Sequence, residues 1–138
     1  MTKIPFADED LLYDGDWLEI RAMRRRNGKS PAKTWADGLD KKGKAQLMAA
    51  ATVIETTLRS GRPPAGRAEK VVGSACGLWE LKVTKPGSTP PHLRLLYVRR
   101  GRTLWAAVGF TKQKNKLAKS DIDAGDAVAR EWLEAEAR

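Results

Sequence analysis

Three short apolar runs constrain the fold most: Gly77-Leu78-Trp79-Glu80-Leu81-Lys82, Leu93-Arg94-Leu95-Leu96-Tyr97, and Leu104-Trp105-Ala106-Ala107-Val108-Gly109-Phe110. Their length and their bounding turn residues read as strands. A proline-rich connector, Lys85 to Pro91, separates the first two, and Arg99-Arg100-Gly101-Arg102 makes a tight turn between the second and third. An antiparallel meander follows. Each strand carries or delivers a cation, so Lys82, Arg94 and the Lys112/Lys114 pair gather on one small sheet.

Charge is unevenly spread around that meander. Residues 20 to 119 hold 23 of the 26 Lys and Arg but only 5 of the 17 Asp and Glu, whereas the two ends are acidic. A basic body of this strength points to a polyanion such as RNA, DNA or an acidic protein. A DNA-binding role is the weaker expectation, because no helix-turn-helix pattern is visible and the cations sit on strands and loops.

At 138 residues the chain is long enough for one domain with one core. A single cysteine, Cys76, allows no disulfide framework and no cysteine-based zinc site within the chain. The first ten residues turn acidic where a signal peptide needs an apolar stretch, and no apolar run approaches a membrane span. Cytosol is the default compartment.

Along the chain, residues 1 to 16 read as an acidic extension and residues 17 to 138 as one domain. Trp17 to Met23 alternates as a first strand, and Arg24-Arg25-Arg26-Asn27-Gly28-Lys29 is a basic turn. Ser30-Pro31 opens a helix. Trp35 and Leu39, then Leu47, Ala51, Ile54 and Leu58, recur at helical spacing and predict a helical hairpin ending near Gly61. Residues 61 to 77 form a connector. After Phe110 comes a lysine-rich loop, and Ser120 caps a final helix with Asp121 and Asp123 in its first turn. The predicted order is β-α-α-β-β-β-α.

The helical hairpin, the Gly-Leu-Trp-Glu-Leu-Lys strand, the Arg-Leu-Leu-Tyr strand and the Val-Gly-Phe-Thr-Lys-Gln-Lys exit together resemble the RelE/HigB-like toxin superfamily, in particular its phage-derived Gp49-like branch. The resemblance spans Trp17 to Ala137 in element order and is sharpest from Gly77 to Lys114. It implies an α+β ribonuclease fold, with two N-terminal helices on a twisted antiparallel sheet of about four strands and a C-terminal helix. It also implies a toxin of a toxin–antitoxin pair that cleaves mRNA on the ribosome without a metal ion or other cofactor. The implied partners are mRNA, the ribosome and a small antitoxin with a helix-turn-helix domain, and no membrane.

Metal-independent RNA cleavage needs a base for the ribose 2′-OH, cations for the charge on the phosphorane, and an acid for the leaving 5′ oxygen. By the resemblance, Arg94 grips the scissile phosphate with its planar fork. Lys82 stabilises the phosphorane or moves a proton, and Lys112 and Lys114 stand where relatives place catalytic or RNA-binding cations, one of the two contacting phosphate. Glu80 shares the strand face of Lys82 and is either the base or that lysine's ion-pair partner. The chain lacks the Tyr or His that some relatives carry near the C-terminus, so the base stays open. His92 reads as a solvated loop residue near enough to Arg94 to touch RNA. Tyr97 is a base-stacking candidate, while Trp79 and Phe110 read as core. Arg24, Arg25, Arg26 and Lys29 are expected to add phosphate contacts. The alternative is a catalytically silent RNA- or protein-binding member of the same fold.

Overall fold

The central strand, β6 (Thr103–Lys112), pairs antiparallel with β5 (His92–Arg100), and β5 pairs antiparallel with β4 (Trp79–Lys82). This is the predicted meander, joined at Gly101, whose φ of 60° lies in the left-handed region that glycine adopts without strain. The computed structural model describes residues 10–64 and 66–136. Its other elements are β1 (Leu11–Asp14), β2 (Glu19–Ala22), α1 (Pro31–Asp37), α2 (Lys41–Arg59), β3 (Ala68–Lys70) and α3 (Lys119–Glu136).

The fold is α+β, but the sheet is larger than expected and mixed. Its order is β1-β2-β6-β5-β4-β3, six strands rather than about four, and β2 runs parallel to β6. That pairing is possible because the helical hairpin and meander lie between β2 and β6 and give ample chain for a crossover. The two additional strands sit at the edges, where the sequence reading had only tail and connector. Leu11–Asp14, inside the acidic extension, pairs with β2, and Ala68–Lys70, inside the 61 to 77 connector, pairs with β4. Residues 1 to 9 of that extension lie outside the described residues.

Helices cover both faces. Ala32 and Ala36 of α1 and Leu47, Ala51, Ile54 and Leu58 of α2 pack with Ile20, Leu81, Leu93, Leu95, Tyr97 and Leu104 on one face. On the other, Val128 and Ala129 of α3 pack with Leu78, Leu96, Ala107 and Val108. Two carboxylates tie loops to these helices. Glu55 of α2 accepts from the Tyr13 hydroxyl at 2.6 Å and from the Trp17 and Leu18 N–H groups at 2.7 Å. Asp126 of α3 accepts from the Ser74 hydroxyl and the Ala75 and Cys76 N–H groups.

Helix starts differ in detail from the expectation. Ser30 precedes Pro31 as predicted but makes no side-chain cap; its hydroxyl donates to Asp10 instead. Asp40 caps α2 through the Gly43 N–H at 2.7 Å. Ser120 lies inside α3 rather than before it, and Asp121 takes the capping task by accepting from the Ala118 N–H at 2.8 Å.

An irregularity in β6 sets the site. Leu96 pairs with Val108 and Tyr97 with Ala106, which leaves Ala107 as an extra residue. Such a bulge reverses the alternation beyond it. Leu104 and Ala106 face the helical hairpin, whereas Val108, Phe110 and, by the same alternation, Lys112 face the α3 side.

Candidate functional site

Alternation along β4 puts Leu81 on the hairpin side and Glu80 and Lys82 on the α3 side. In β5, Leu93 and Leu95 face the hairpin, so His92, Arg94 and Leu96 share the other face. Cross-strand pairing then lines up Lys82, Arg94 and Phe110 in one row and His92 and Lys112 in the next. With strands about 4.8 Å apart and about 3.4 Å per residue along them, Arg94 and Lys112 are roughly 8 Å apart at the backbone. Glu80, Lys82, Arg94, His92 and Lys112 are thus brought together by three strands.

Arg94 lies at the centre and is 2% exposed. Its Nη1 donates to Thr84 Oγ1 at 2.9 Å and to the Leu93 carbonyl at 2.8 Å, and Nη2 donates to Asn115 Oδ1. Its Nε lies 3.3 Å from Glu80 Oε2. Burial lowers the guanidinium's pKa and Glu80 opposes that shift. Burial likewise pushes the Glu80 carboxyl above the usual range, with Arg94 and Lys82 pulling it back. Glu80 pairs with Arg94, not with Lys82. Lys82 pairs instead with Glu69 of β3, which the register places directly across from Glu80.

Lys112 pairs with Asp121 in the first turn of α3. It also lines an open hollow of about 520 Å³ formed by Thr111, Gln113, Lys114, Lys116, Leu117 and Ala118. Lys114 and Lys116 are exposed on this loop. His92 is not a solvated loop residue: it opens β5, is 6% exposed, and its Nδ1 is enclosed without a hydrogen-bond partner. The connector before it ends in a cis Pro90-Pro91 bond, and the strand begins one residue earlier than Leu93.

The other candidates fall elsewhere. Tyr97 is 3% exposed in the hairpin-side core, where no base can stack on it, and burial raises its hydroxyl to about 12. Trp79 and Phe110 pack against the two cores as expected. The basic turn after β2 lies against the far half of α3. Arg25 and Arg26 pair with Glu131 and Glu134, and Arg24 pairs with Asp10 at 2.9 Å. Glu131 is ten residues from Asp121, about 15 Å along the helix. Three of the four residues expected to hold phosphate are therefore already matched by the chain's own acids, and Lys29 is exposed beside them.

Several residues of the site were not singled out from sequence. Thr84 continues the period of two from Glu80 and Lys82, a signal the strand pattern carried. Arg67, which donates to the Lys82 and Val83 carbonyls at 3.2 and 3.3 Å, and Glu69 lie in what read as a connector. Asn115 stands between two lysines of a loop, and nothing in the local pattern marks it.

No family model matches this chain, and no curated protein matches it significantly. Its own chemistry carries the reading: a carboxylate raised by burial, a buried guanidinium that fixes it, and lysines on both sides. Among the described residues no group of three or more His, Cys, Asp and Glu is placed to hold a metal ion. Nor is any helix there long and apolar enough to cross a membrane.

Proposed function

We propose that the chain is a metal-independent endoribonuclease that cleaves mRNA on the ribosome as the toxin of a toxin–antitoxin pair. The observation that carries this reading is the grouping of Lys82, Arg94 and, one row on, Lys112 with Glu80 on one sheet face, to which the Ala107 bulge turns Lys112. The element order of the RelE/HigB-like resemblance supports it: with the edge strands β1 and β3 set aside, the chain reads β-α-α-β-β-β-α. The antitoxin and the cytoplasmic setting belong to the same proposal.

In this mechanism Glu80 takes the proton of the ribose 2′-OH. A base with a pKa raised toward the working pH transfers protons more effectively, and positioned acid or base groups contribute about 10²–10⁴-fold. Arg94 holds the Glu80 carboxylate in place. The 2′ oxygen attacks phosphorus, the bond to the 5′ oxygen breaks, and a 2′,3′-cyclic phosphate forms. Lys82 and Lys112 stabilise the extra charge on the phosphorane, and Lys82, adjoining Glu80 on the strand, protonates the departing 5′ oxygen. Lys114 and Lys116 hold flanking phosphates.

One observation favours the alternative, a catalytically silent RNA- or protein-binding module: every nitrogen of the Arg94 guanidinium is already engaged within the chain. Product analysis separates the two. Incubation with translating ribosomes should yield mRNA fragments ending in 2′,3′-cyclic phosphate, and Glu80→Gln should slow their formation by at least about 100-fold. Intact mRNA bound by folded wild-type protein selects the silent module.

A further inference from the structure

Asn115 differs from the other partners of Arg94. Leu93 and Glu80 hold the guanidinium from the sheet and Thr84 from the bend just after β4, whereas Asn115 is an exposed residue of the loop between β6 and α3. Among the described residues, Nη2 is the guanidinium nitrogen whose bond goes to this loop. The loop itself is fastened at its ends. Asp121 accepts from both Lys112 and the Ala118 N–H, and Leu117 packs into the α3-side core. Its middle, Gln113 to Lys116, is exposed.

We propose that the amide oxygen of Asn115 stands where a phosphoryl oxygen of RNA binds, so that the middle of this loop is a gate which the phosphate displaces from Arg94. The inference rests on the RNA-cleavage reading above and supplies its regulation. It resolves why the central arginine is fully occupied. An amide oxygen is a neutral acceptor, whereas a phosphoryl oxygen carries charge opposite to that of the guanidinium, which adds Coulomb attraction to the hydrogen bond. A phosphodiester therefore outcompetes Asn115 where a neutral ligand does not. Lys114 and Lys116, on either side of Asn115, draw the anion to the gate and move with it.

The test is binding of a fluorescent 2′-O-methyl RNA oligonucleotide, which cannot be cleaved because its 2′ oxygen is blocked. Asn115→Ala removes the internal competitor and should bind about fivefold tighter than wild type. Asn115→Asp replaces it with an anion that stays on Arg94 and should bind about tenfold more weakly. Gln113→Glu adds the same charge two residues away and should weaken binding much less. Unchanged or weaker binding by Asn115→Ala, or equal weakening by the two acidic variants, overturns the gate. Tighter binding by Asn115→Ala without cleavage of mRNA on translating ribosomes leaves the gate standing and removes the nuclease reading. Absence of binding by all four proteins overturns the gate.

Discussion

Nε of Arg94 lies 3.3 Å from Oε2 of Glu80, and the two side chains are only 3% and 14% exposed. Each charge is held in a poorly solvated place by the other. Removing one partner of such a pair costs about 3–5 kcal/mol, because the remaining charge is left uncompensated, whereas replacing both with apolar groups is often neutral. Arg94→Met should therefore lower the unfolding free energy by about that amount in urea titration, and Arg94→Met with Glu80→Leu should recover most of it. Equal losses in the single and double variants would show that the pair is not coupled.

Acid titration should separate Glu80 from Glu55. Burial raises the folded-state pKa of Glu80 above 4.5, so the native state binds its proton more tightly than the unfolded chain does. Its contribution is fully present below pH 4.5 and declines as pH rises through the raised value. For Glu55, burial pushes upward, but the hydrogen bonds from Tyr13, Trp17 and Leu18 outweigh it and hold the carboxyl below 4.5. That contribution is present above pH 4.5 and is lost as pH falls through the depressed value. The stability of wild type relative to Glu80→Gln should thus fall as pH rises past 4.5, while its advantage over Glu55→Gln should shrink as pH falls below 4.5. A gap that moves the other way in either series contradicts the assignment of that carboxyl.

Gly109 has no side chain because Trp35 occupies the space. A Cβ built there meets the Trp35 ring at 2.1 Å, and the indole N–H donates to Thr111 Oγ1 at 3.1 Å. Gly109→Ala must push the ring off the strand. The expected cost is at least about 1–3 kcal/mol, the usual range for overpacking, with a change in tryptophan emission. Wild-type stability in this variant would mean that α1 shifts freely on the sheet.

Salt dependence distinguishes the loop lysines from the basic turn. Each phosphate contact to a single strand contributes about 0.7 to the slope of log affinity against log salt, so Lys114→Ala with Lys116→Ala should lower that slope by about 1.4. Replacing Arg24, Arg25 and Arg26 with Ala should leave it where it was, because those cations are matched by Asp10, Glu131 and Glu134. A drop in slope from the arginine variant would place RNA on the turn instead.

The elements with strong periodicity were legible in the sequence, and those fixed by pairing were not. The hairpin of α1 and α2 and the strands β4 to β6 carry their own apolar spacing. Strands β1 and β3 do not: Leu11–Asp14 and Ala68–Lys70 are short edge segments whose conformation comes from hydrogen bonds to β2 and β4. His92 was misplaced because Pro90-Pro91 marks a turn, yet the chain enters β5 immediately after it. Tyr97 read as a base-stacking candidate because strand alternation alone does not say which face is covered, whereas every residue from His92 to Tyr97 is buried and Tyr97 lies in the hairpin-side core. The grouping of Lys82, Arg94 and Lys112 was legible as a set of cations on one sheet. What aligns Lys112 with the others is the bulge at Ala107, which simple alternation from Leu104 does not foretell.

The most direct test of the site is inducible expression in a bacterial host with primer-extension mapping of mRNA ends, comparing wild type with Lys82→Ala and Lys112→Ala. These lysines are partly exposed, so their variants can be checked for folding by circular dichroism before the comparison. Growth arrest with new 5′ ends inside translated frames, lost in both folded variants, is the predicted result. Normal growth and intact mRNA with soluble wild-type protein, or cleavage that survives both substitutions, would contradict the assignment of this sheet face as a nuclease centre.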